Sequence, residues 1–405
     1  MDRALMEGNP HSVLEGLIIA AYAMGSHKGF IYVRMEYPLA VQNATLALQQ
    51  AREYGLLGEN ILGTGFDFDV SIHRGAGSFV SGESTALMNA LEGWVGEPRP
   101  KYVHTSQKGL WGRPSALNNV ETFANVPLII EHGAKWFNSI GTERSKGTKI
   151  FSLVGKVNNT GLVEVPMGMT LADIIYKIGG GIPGNKKLKG VQTGGPSGGI
   201  IPARYLNTPV DFDELTSLGS MMGSGSIIVI DEDTCAVDLA RYFVDFLCSE
   251  SCGKCLPCRE GLKRMREILD AIESGRGTET DIQTLQEIAE LMRTASLCAL
   301  GRTAVNPVLS TIRYFRDEYD AHIKDKRCPA LSCKSLVSYS IDPEICIGCD
   351  LCRENCPQGA IYKDDGGFAV VDQSKCMRCG ICFEICPEKV RAVVRESKGL
   401  PGGKR

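Results

Sequence analysis

The spacing of apolar residues changes along the chain, and each change predicts a different architecture. Residues 1–142 mix apolar stretches of helical period, clearest at 40–54, with glycine-rich turns, as an α/β domain does. Residues 143–233 read as a small α+β module. Short β-branched runs at 150–154, 162–165 and 226–230 predict strands, and one helix is predicted at 171–178. Glycine clusters follow at Gly179-Gly180-Gly181 and Gly194-Gly195-Pro196-Ser197-Gly198-Gly199. From 234 to 326 the period turns helical again. Val237, Leu239, Ala240, Phe243, Val244 and Leu247 share one face, and 262–272 and 282–292 give two further amphipathic helices, separated at Gly275-Arg276-Gly277. Residues 327–339 read as a linker, 340–396 hold an internal repeat, and 397–405 read as a disordered tail.

Composition narrows the classes. Of 405 residues, 43% are hydrophobic and 44 basic residues face 47 acidic ones, so nucleic acid or an anionic membrane surface is not expected as a partner. No stretch reaches the roughly 20 apolar residues of a membrane span. Met1-Asp2-Arg3 does not open a secretory signal. Sixteen cysteines could mean a disulfide scaffold, but most cluster at two-residue gaps, which suits thiolates converging on a metal in a reducing, cytoplasmic compartment.

The repeat carries the strongest signal. Cys346, Cys349, Cys352 and Cys356-Pro357 recur 30 residues later as Cys376, Cys379, Cys382 and Cys386-Pro387. Two-residue gaps let a tight loop present three thiolates to one iron–sulfur cube, while the fourth cysteine reaches the cube of the other half. That crossing assigns Cys346, Cys349, Cys352 and Cys386 to one [4Fe–4S] cluster, and Cys376, Cys379, Cys382 and Cys356 to the other. Zinc knuckles usually use separated pairs, so repeated triple gaps followed by Cys-Pro indicate iron–sulfur. Cys252, Cys255 and Cys258 repeat the spacing at the start of a helix. Cys298, returned by a helical hairpin, is the candidate fourth ligand of a third cluster, the alternative being a buried structural thiol.

Ser251-Cys252-Gly253-Lys254-Cys255-Leu256-Pro257-Cys258-Arg259-Glu260-Gly261, with Cys298-Ala299-Leu300-Gly301, resembles the NADH-binding flavoprotein subunit of complex I and its relatives in NAD(P)-linked [FeFe] hydrogenases and formate dehydrogenases. The likeness runs from residue 1 to about 326, and 340–396 resembles a bacterial two-cluster ferredoxin. It implies a multidomain fold: a partial FMN/NAD(P)H-binding α/β domain, a β-grasp-like SLBB module, a helical [4Fe–4S] domain and a ferredoxin-like domain. It also implies that Phe79, Gly82, Asn118, Asn119 and Thr122 contact FMN, and that Glu83 lies between flavin and nucleotide. Ser84 would face the ribose, with Lys101 and an aromatic near Tyr102 or His104 toward the nucleotide's far end. A fused ferredoxin pair favours the hydrogenase-type relative: a diaphorase-type electron-entry subunit passing electrons between NAD(P)H, FMN and three clusters. Implied partners are a small [2Fe–2S] thioredoxin-like subunit and a hydrogenase or formate dehydrogenase catalytic subunit. The alternatives are a respiratory NADH:quinone oxidoreductase flavoprotein subunit, and a non-catalytic relay that has lost its flavin.

Two departures from the family bear on this. The glycine-rich loop that cradles the flavin phosphate has no counterpart here, and residues 1–6 resemble the segment after it. The expectation is therefore a chain that begins inside the fold, with an incomplete FMN site. At Ser84 the family commonly has a second glutamate, which would repel a 2′-phosphate; serine removes that repulsion and could tolerate NADP(H). Of the remaining cysteines, Cys235 and Cys248 read as core thiols. His322, Cys328 and Cys333 read either as three ligands of a zinc site completed from elsewhere, or as a lone histidine with two free thiols.

Overall fold

The computed structural model describes residues 1–100 and 102–397; Lys101 and 398–405, which hold most of the expected tail, lie outside the described residues. Helices α1 (Asp2–Gly8) and α2 (Pro10–Met24) precede β1 (Lys28–Arg34), and α3 (Pro38–Glu53) leads to the hairpin of β2 (Gly58–Ile61) and β3 (Phe66–Gly75). β3 is the central strand, parallel to β1 and antiparallel to β2. Phe68 and Val70 of β3 are buried in one core with Ala40, Ala44 and Ala51 of α3. Small residues at that helical spacing let α3 lie close to the sheet. α4 (Ser84–Leu91), α5 (Val120–His132) and α6 (Ala134–Asn138) complete the domain. α2 packs so closely on α5 that a Cβ at Gly16 would lie 1.9 Å from the Phe123 carbonyl oxygen, so only glycine fits there.

The second module is a five-stranded sheet, built from β4 (Thr148–Gly155), β5 (Gly161–Pro166), β6 (Leu188–Thr193), β7 (Ile200–Pro202) and β8 (Ser226–Asp231), with α7 (Phe212–Ser217) before the last strand. Its order is β5-β4-β8-β6-β7, with β4 and β8 parallel and every other pair antiparallel. The apolar runs predicted β4, β5 and β8. They missed β6 and β7, whose short stretches are hidden among lysines and glycines. The helix at 171–178 forms, but Asp173–Ile178 is wound as a π-helix.

A helical domain follows: α8 (Ala236–Glu250), α9 (Leu256–Glu273), α10 (Thr280–Ala295), α11 (Ala299–Thr303), α12 (Asn306–Tyr314) and α13 (Arg316–Ile323). Val237, Ala240, Phe243, Val244 and Leu247 of α8 are buried, as are Leu262, Met265, Ile268 and Leu269 of α9. α9 stops where Gly275 takes φ +78. The final module is small. β9 (Val337–Ile341) pairs with β12 (Val393–Ser397), β10 (Ile361–Lys363) pairs with β11 (Ala369–Val371), and α14 (Leu351–Glu354) and α15 (Ile381–Ile385) each take in the third cysteine of a three-cysteine loop. β9 begins inside the segment read as a linker, whose cysteines are also buried. No described helix is long and apolar enough to cross a membrane.

A buried ion pair joins the first two modules. Glu121 of α5 pairs with Lys149 at the start of β4 and accepts from the Ile150 N–H at 2.7 Å, and both charged side chains are largely buried. Removing one partner leaves the other charge buried and unpaired. Glu121→Ala is expected to destabilise the first unfolding transition by about 3 kcal/mol, read as a lowered urea midpoint; an unchanged midpoint would mean that water replaces the carboxylate without loss.

Candidate functional site

α8 ends at Glu250, the chain loops through Cys252 and Cys255, and α9 opens with Pro257 and Cys258 in its first turn. α10 brings the chain back, and Cys298 caps the start of α11. Cys252, Cys255, Cys258 and Cys298 consequently line one cavity, with Ser251, Lys254, Leu300, Val80 and Pro98. Burial pushes the Cys258 thiol up to about 11. The Ser251 hydroxyl, 3.4 Å from its sulfur, works against that rise, while charge on Cys255, Cys298 and Cys252 adds to it. The Cys298 thiol is raised as well, again mainly by burial. Four soft sulfur donors around one cavity, two of them, Cys258 and Cys298, made hard to ionise by burial, fit a cationic iron–sulfur core.

Val80 belongs to a tight 3-10 turn, Phe79–Gly82, that sits against this cavity. The Phe79 N–H donates to Glu250 at 3.0 Å, and the Phe79 ring meets Phe246 edge-on at 5.7 Å. Lys254, between the cysteines, donates to Glu97 at 2.7 Å and to the Pro98 carbonyl at 3.1 Å. The residue after the turn, Glu83, caps α4: its carboxylate accepts from the N–H groups of Thr85 at 2.9 Å and Ala86 at 3.0 Å, and from the Ser84 hydroxyl at 3.3 Å. At Gly82 an added Cβ would meet nothing within 4 Å, so the backbone there faces open space. Asn118, Asn119 and Thr122 are exposed at the start of α5. The open backbone and the amides fit the edge of a flavin. Tyr102 is 92% exposed, and Lys101 lies outside the described residues. Trp111, in the same region, has φ +49 and donates its N–H to Glu92 at 2.7 Å. Such strain in a non-glycine residue is uncommon, and the sequence offered no sign of it.

In the last module a second cavity is lined by Cys356, Cys376, Cys379 and Cys382, with Tyr339, Ile361, Val371 and Gly380. The fourth cysteine of the first repeat thus stands with the first three of the second. Burial pushes the Cys382 thiol up to about 12, and charge on Cys376, Cys379 and Cys352 adds to the rise. Cys352 is likewise raised by burial and by Cys346 and Cys349. Cys386, at the end of α15, holds the repeat-related position to Cys356.

A fourth group was only partly legible. Sγ of Cys235, Cys328 and Cys333 and a ring nitrogen of His322 lie within 4.8 Å of one another, and all four residues are buried. His322 Nε2 is 3.5 Å from Cys235 Sγ and 3.3 Å from Cys333 Sγ, and those two sulfurs are 3.5 Å apart. Cys235 is buried as a core thiol would be, yet it completes the trio. No spacing rule links it to His322, 87 residues away; the packing of α8 against α13 does. Hydrogen bonds with Cys235 and Cys333 hold the Cys328 thiol far below its ordinary range, while hydrogen bonds with Cys235 and Cys328, and then burial, push Cys333 up. His322 Nδ1 bonds the Glu318 carbonyl oxygen at 2.7 Å, aiming Nε2 at the sulfurs. The Glu318 carboxylate accepts from the Ala236 N–H at 2.9 Å and pairs with Lys189 of β6.

Comparison with known proteins follows this division. Residues 1–128 match the Nuo51 FMN-binding domain, 150–201 the SLBB domain, 238–322 the NADH-ubiquinone oxidoreductase-F iron-sulfur binding region and 338–387 the 4Fe-4S dicluster domain. The NADP-reducing hydrogenase subunit HndC of Solidesulfovibrio fructosivorans is 52% identical over 357 residues, 88% of this chain and 73% of that protein. An NADH-quinone oxidoreductase subunit of Escherichia coli is 40% identical over 324 residues, 80% of this chain and 73% of that one. A solved chain of an NAD+-reducing [NiFe]-hydrogenase in the H2-reduced state superposes with a TM-score of 0.72 at 32% identity; the match covers 80% of this chain but 54% of that one.

Proposed function

Because the chain belongs to the family that contains the NADP-reducing hydrogenase subunit HndC and the related NADH-quinone oxidoreductase subunits, we propose that it is the electron-entry subunit of a multi-subunit, cytoplasmic NAD(P)H-linked oxidoreductase of the hydrogenase type. The observation that carries this reading is the shared wall: Val80, one residue from Phe79 of the flavin turn, lines the cavity of Cys252, Cys255, Cys258 and Cys298. Partners would be a small [2Fe–2S] thioredoxin-like subunit and a hydrogenase or formate dehydrogenase catalytic subunit. The longer match to HndC, and a dicluster domain fused after the helices, favour the hydrogenase.

Phe79, Gly82, Asn118, Asn119 and Thr122 would hold FMN, which when bound turns a two-electron hydride into single electrons. Glu83, fixed as the cap of α4, would keep a carboxylate between flavin and nucleotide, and Ser84 would face the nucleotide ribose. The ion pair of Lys254 with Glu97 and the bond from Phe79 to Glu250 hold the turn against the first cysteine cavity, so the distance an electron must cross is set by packing. The other ligand sets are Cys346, Cys349, Cys352 with Cys386, and Cys376, Cys379, Cys382 with Cys356. Cys235, His322, Cys328 and Cys333 would hold zinc. A tetrahedron with Zn–S near 2.3 Å and Zn–N near 2.0 Å has edges of about 3.4–3.8 Å, and the observed contacts of 3.3–3.5 Å come close to that size.

Anaerobically reconstituted chain should contain about twelve irons, from three cubes of about four, and Cys298→Ala should contain about eight. Parental iron content and spectra in that variant would remove Cys298 from the ligand set. Native metal analysis should find about one zinc per chain, lost in Cys235→Ser while the iron stays; zinc-free parent protein would leave the four residues as a hydrogen-bonded core cluster. In the complete complex, Ser84→Glu should raise KM for NADPH about thirtyfold and leave NADH nearly unchanged. A carboxylate some 8 Å from a phosphate charge at an effective dielectric of about 20 costs about 2 kcal/mol. Equal loss for both nucleotides would indicate a damaged pocket instead.

A further inference from the structure

The internal repeat lets the two cluster loops be compared position by position. Cys346-Ile347-Gly348-Cys349-Asp350-Leu351-Cys352 stands against Cys376-Met377-Arg378-Cys379-Gly380-Ile381-Cys382. Both loops take left-handed backbone at the same two places: φ is +69 at Gly348 and +61 at Asp350, +57 at Arg378 and +83 at Gly380. Each loop therefore uses one glycine and tolerates one strained side chain. In the first loop that side chain is a carboxylate, and in the second a guanidinium.

The surroundings extend the difference. Residues 342–354 carry Asp342, Glu344, Asp350 and Glu354 against Arg353, whereas 372–384 carry Asp372 and Glu384 against Lys375 and Arg378. Asp350 is partly offset by Arg353 at 3.2 Å and Lys363 at 2.8 Å. The second site gains a further cation from β12: Arg395 lies 5.2 Å over the Phe383 ring, and Phe383 packs at 6.4 Å against Tyr339, which lines the cavity of Cys356, Cys376, Cys379 and Cys382. The Nε atoms of Arg378 and Arg395 are both buried without a hydrogen-bond partner, so their charge is screened less than that of a solvated side chain.

We propose that Arg378 and Arg395 make the cluster held by Cys376, Cys379, Cys382 and Cys356 the higher-potential member of the pair, the place where an electron comes to rest. This rests on the reading above that the eight cysteines hold two four-iron clusters. Reduction adds one electron to a cluster and no proton, so the cluster gains one negative charge. A fixed cation nearby stabilises that charge and a fixed carboxylate opposes it.

The test is EPR-monitored potentiometry of the full chain, reduced with dithionite, with the third cluster identified by its loss in Cys298→Ala. The pair should show two midpoints. Arg378→Gly, which also relieves the backbone, should lower the higher midpoint and leave the lower one in place. Arg378→Lys should keep both near parental values, and Asp350→Asn should raise the lower one. A single shared midpoint in the parent, or an Arg378→Gly protein whose higher midpoint does not fall, would overturn the assignment while parental iron content left the cluster reading intact. Iron sufficient for only one of the three clusters would overturn both together.

Discussion

The burial of cysteine thiols beside other cysteines is the constraint on which the rest of this structure depends. Cys258 and Cys382 are pushed up to about 11 and about 12 because each would ionise in a buried place beside three other cysteines. The protein offers little to relieve it: the Ser251 hydroxyl at Cys258, and at Cys382 a backbone N–H. Neutral thiols at such density are poor packing elements, and ionised ones repel, so neither state explains why helices α8 to α11 converge there. A multiply charged metal core would resolve both difficulties, and its insertion would release the protons that the raised thiols hold. The helical hairpin, the glycine at 301 that leaves room beside Cys258, and the turn carrying Val80 are arranged around that relief.

Charged clasps then fix how the modules stand. Glu121 with Lys149, Lys254 with Glu97, and Lys189 with Glu318 each tie one module to another. Pairs as buried as the first and third contribute little net stability, since desolvation offsets most of their attraction. What they supply is a unique arrangement, because sliding either partner strands a charge. An electron carrier needs that more than it needs stability. Separation decides whether charge passes between the flavin turn and the first cysteine cavity, and a loosened interface changes the separation without unfolding anything.

Cysteine spacing made the centres legible because a tight loop around a cube is a local event, encoded within seven residues. The crossing of Cys356 into the second cavity was readable for the same reason: a short helix cannot fold back on its own loop. Cys298 needed one long-range step, a helical hairpin, and α9 and α10 supply it. Cys235 was not readable, since its place beside His322 depends on the packing of α8 against α13 and leaves no trace in spacing. β6 and β7 were missed because Gly190 and the clustered glycines after Thr193 break the apolar alternation. A Cβ at Gly190 would lie 2.5 Å from the Ile201 carbonyl oxygen, so close pairing of the two strands requires the residue that hides them. The left-handed backbone of Trp111 follows from no motif in the sequence.

The smallest module shows why the cluster of Cys235, His322, Cys328 and Cys333 lies where it does. Its buried core is a handful of residues, among them Val337, Tyr339, Ile361, Val371 and Val393, with cysteines filling the rest. Domains of that size bury too little apolar surface to hold themselves firmly by it. Nor can such a core pin the module to its neighbours. The segment leading into it does so instead. Leu336 is buried in the helical core, lying where only a glycine at 275 leaves it room. Lys326 donates to the Gly277 carbonyl at 3.1 Å. Cys328 and Cys333 then bring the strand start back to Cys235 and His322, at the two ends of the helical domain. Because β9 begins four residues after Cys333 and pairs along its whole length with β12, whatever fixes that quartet also fixes the sheet edge behind the second cluster cavity.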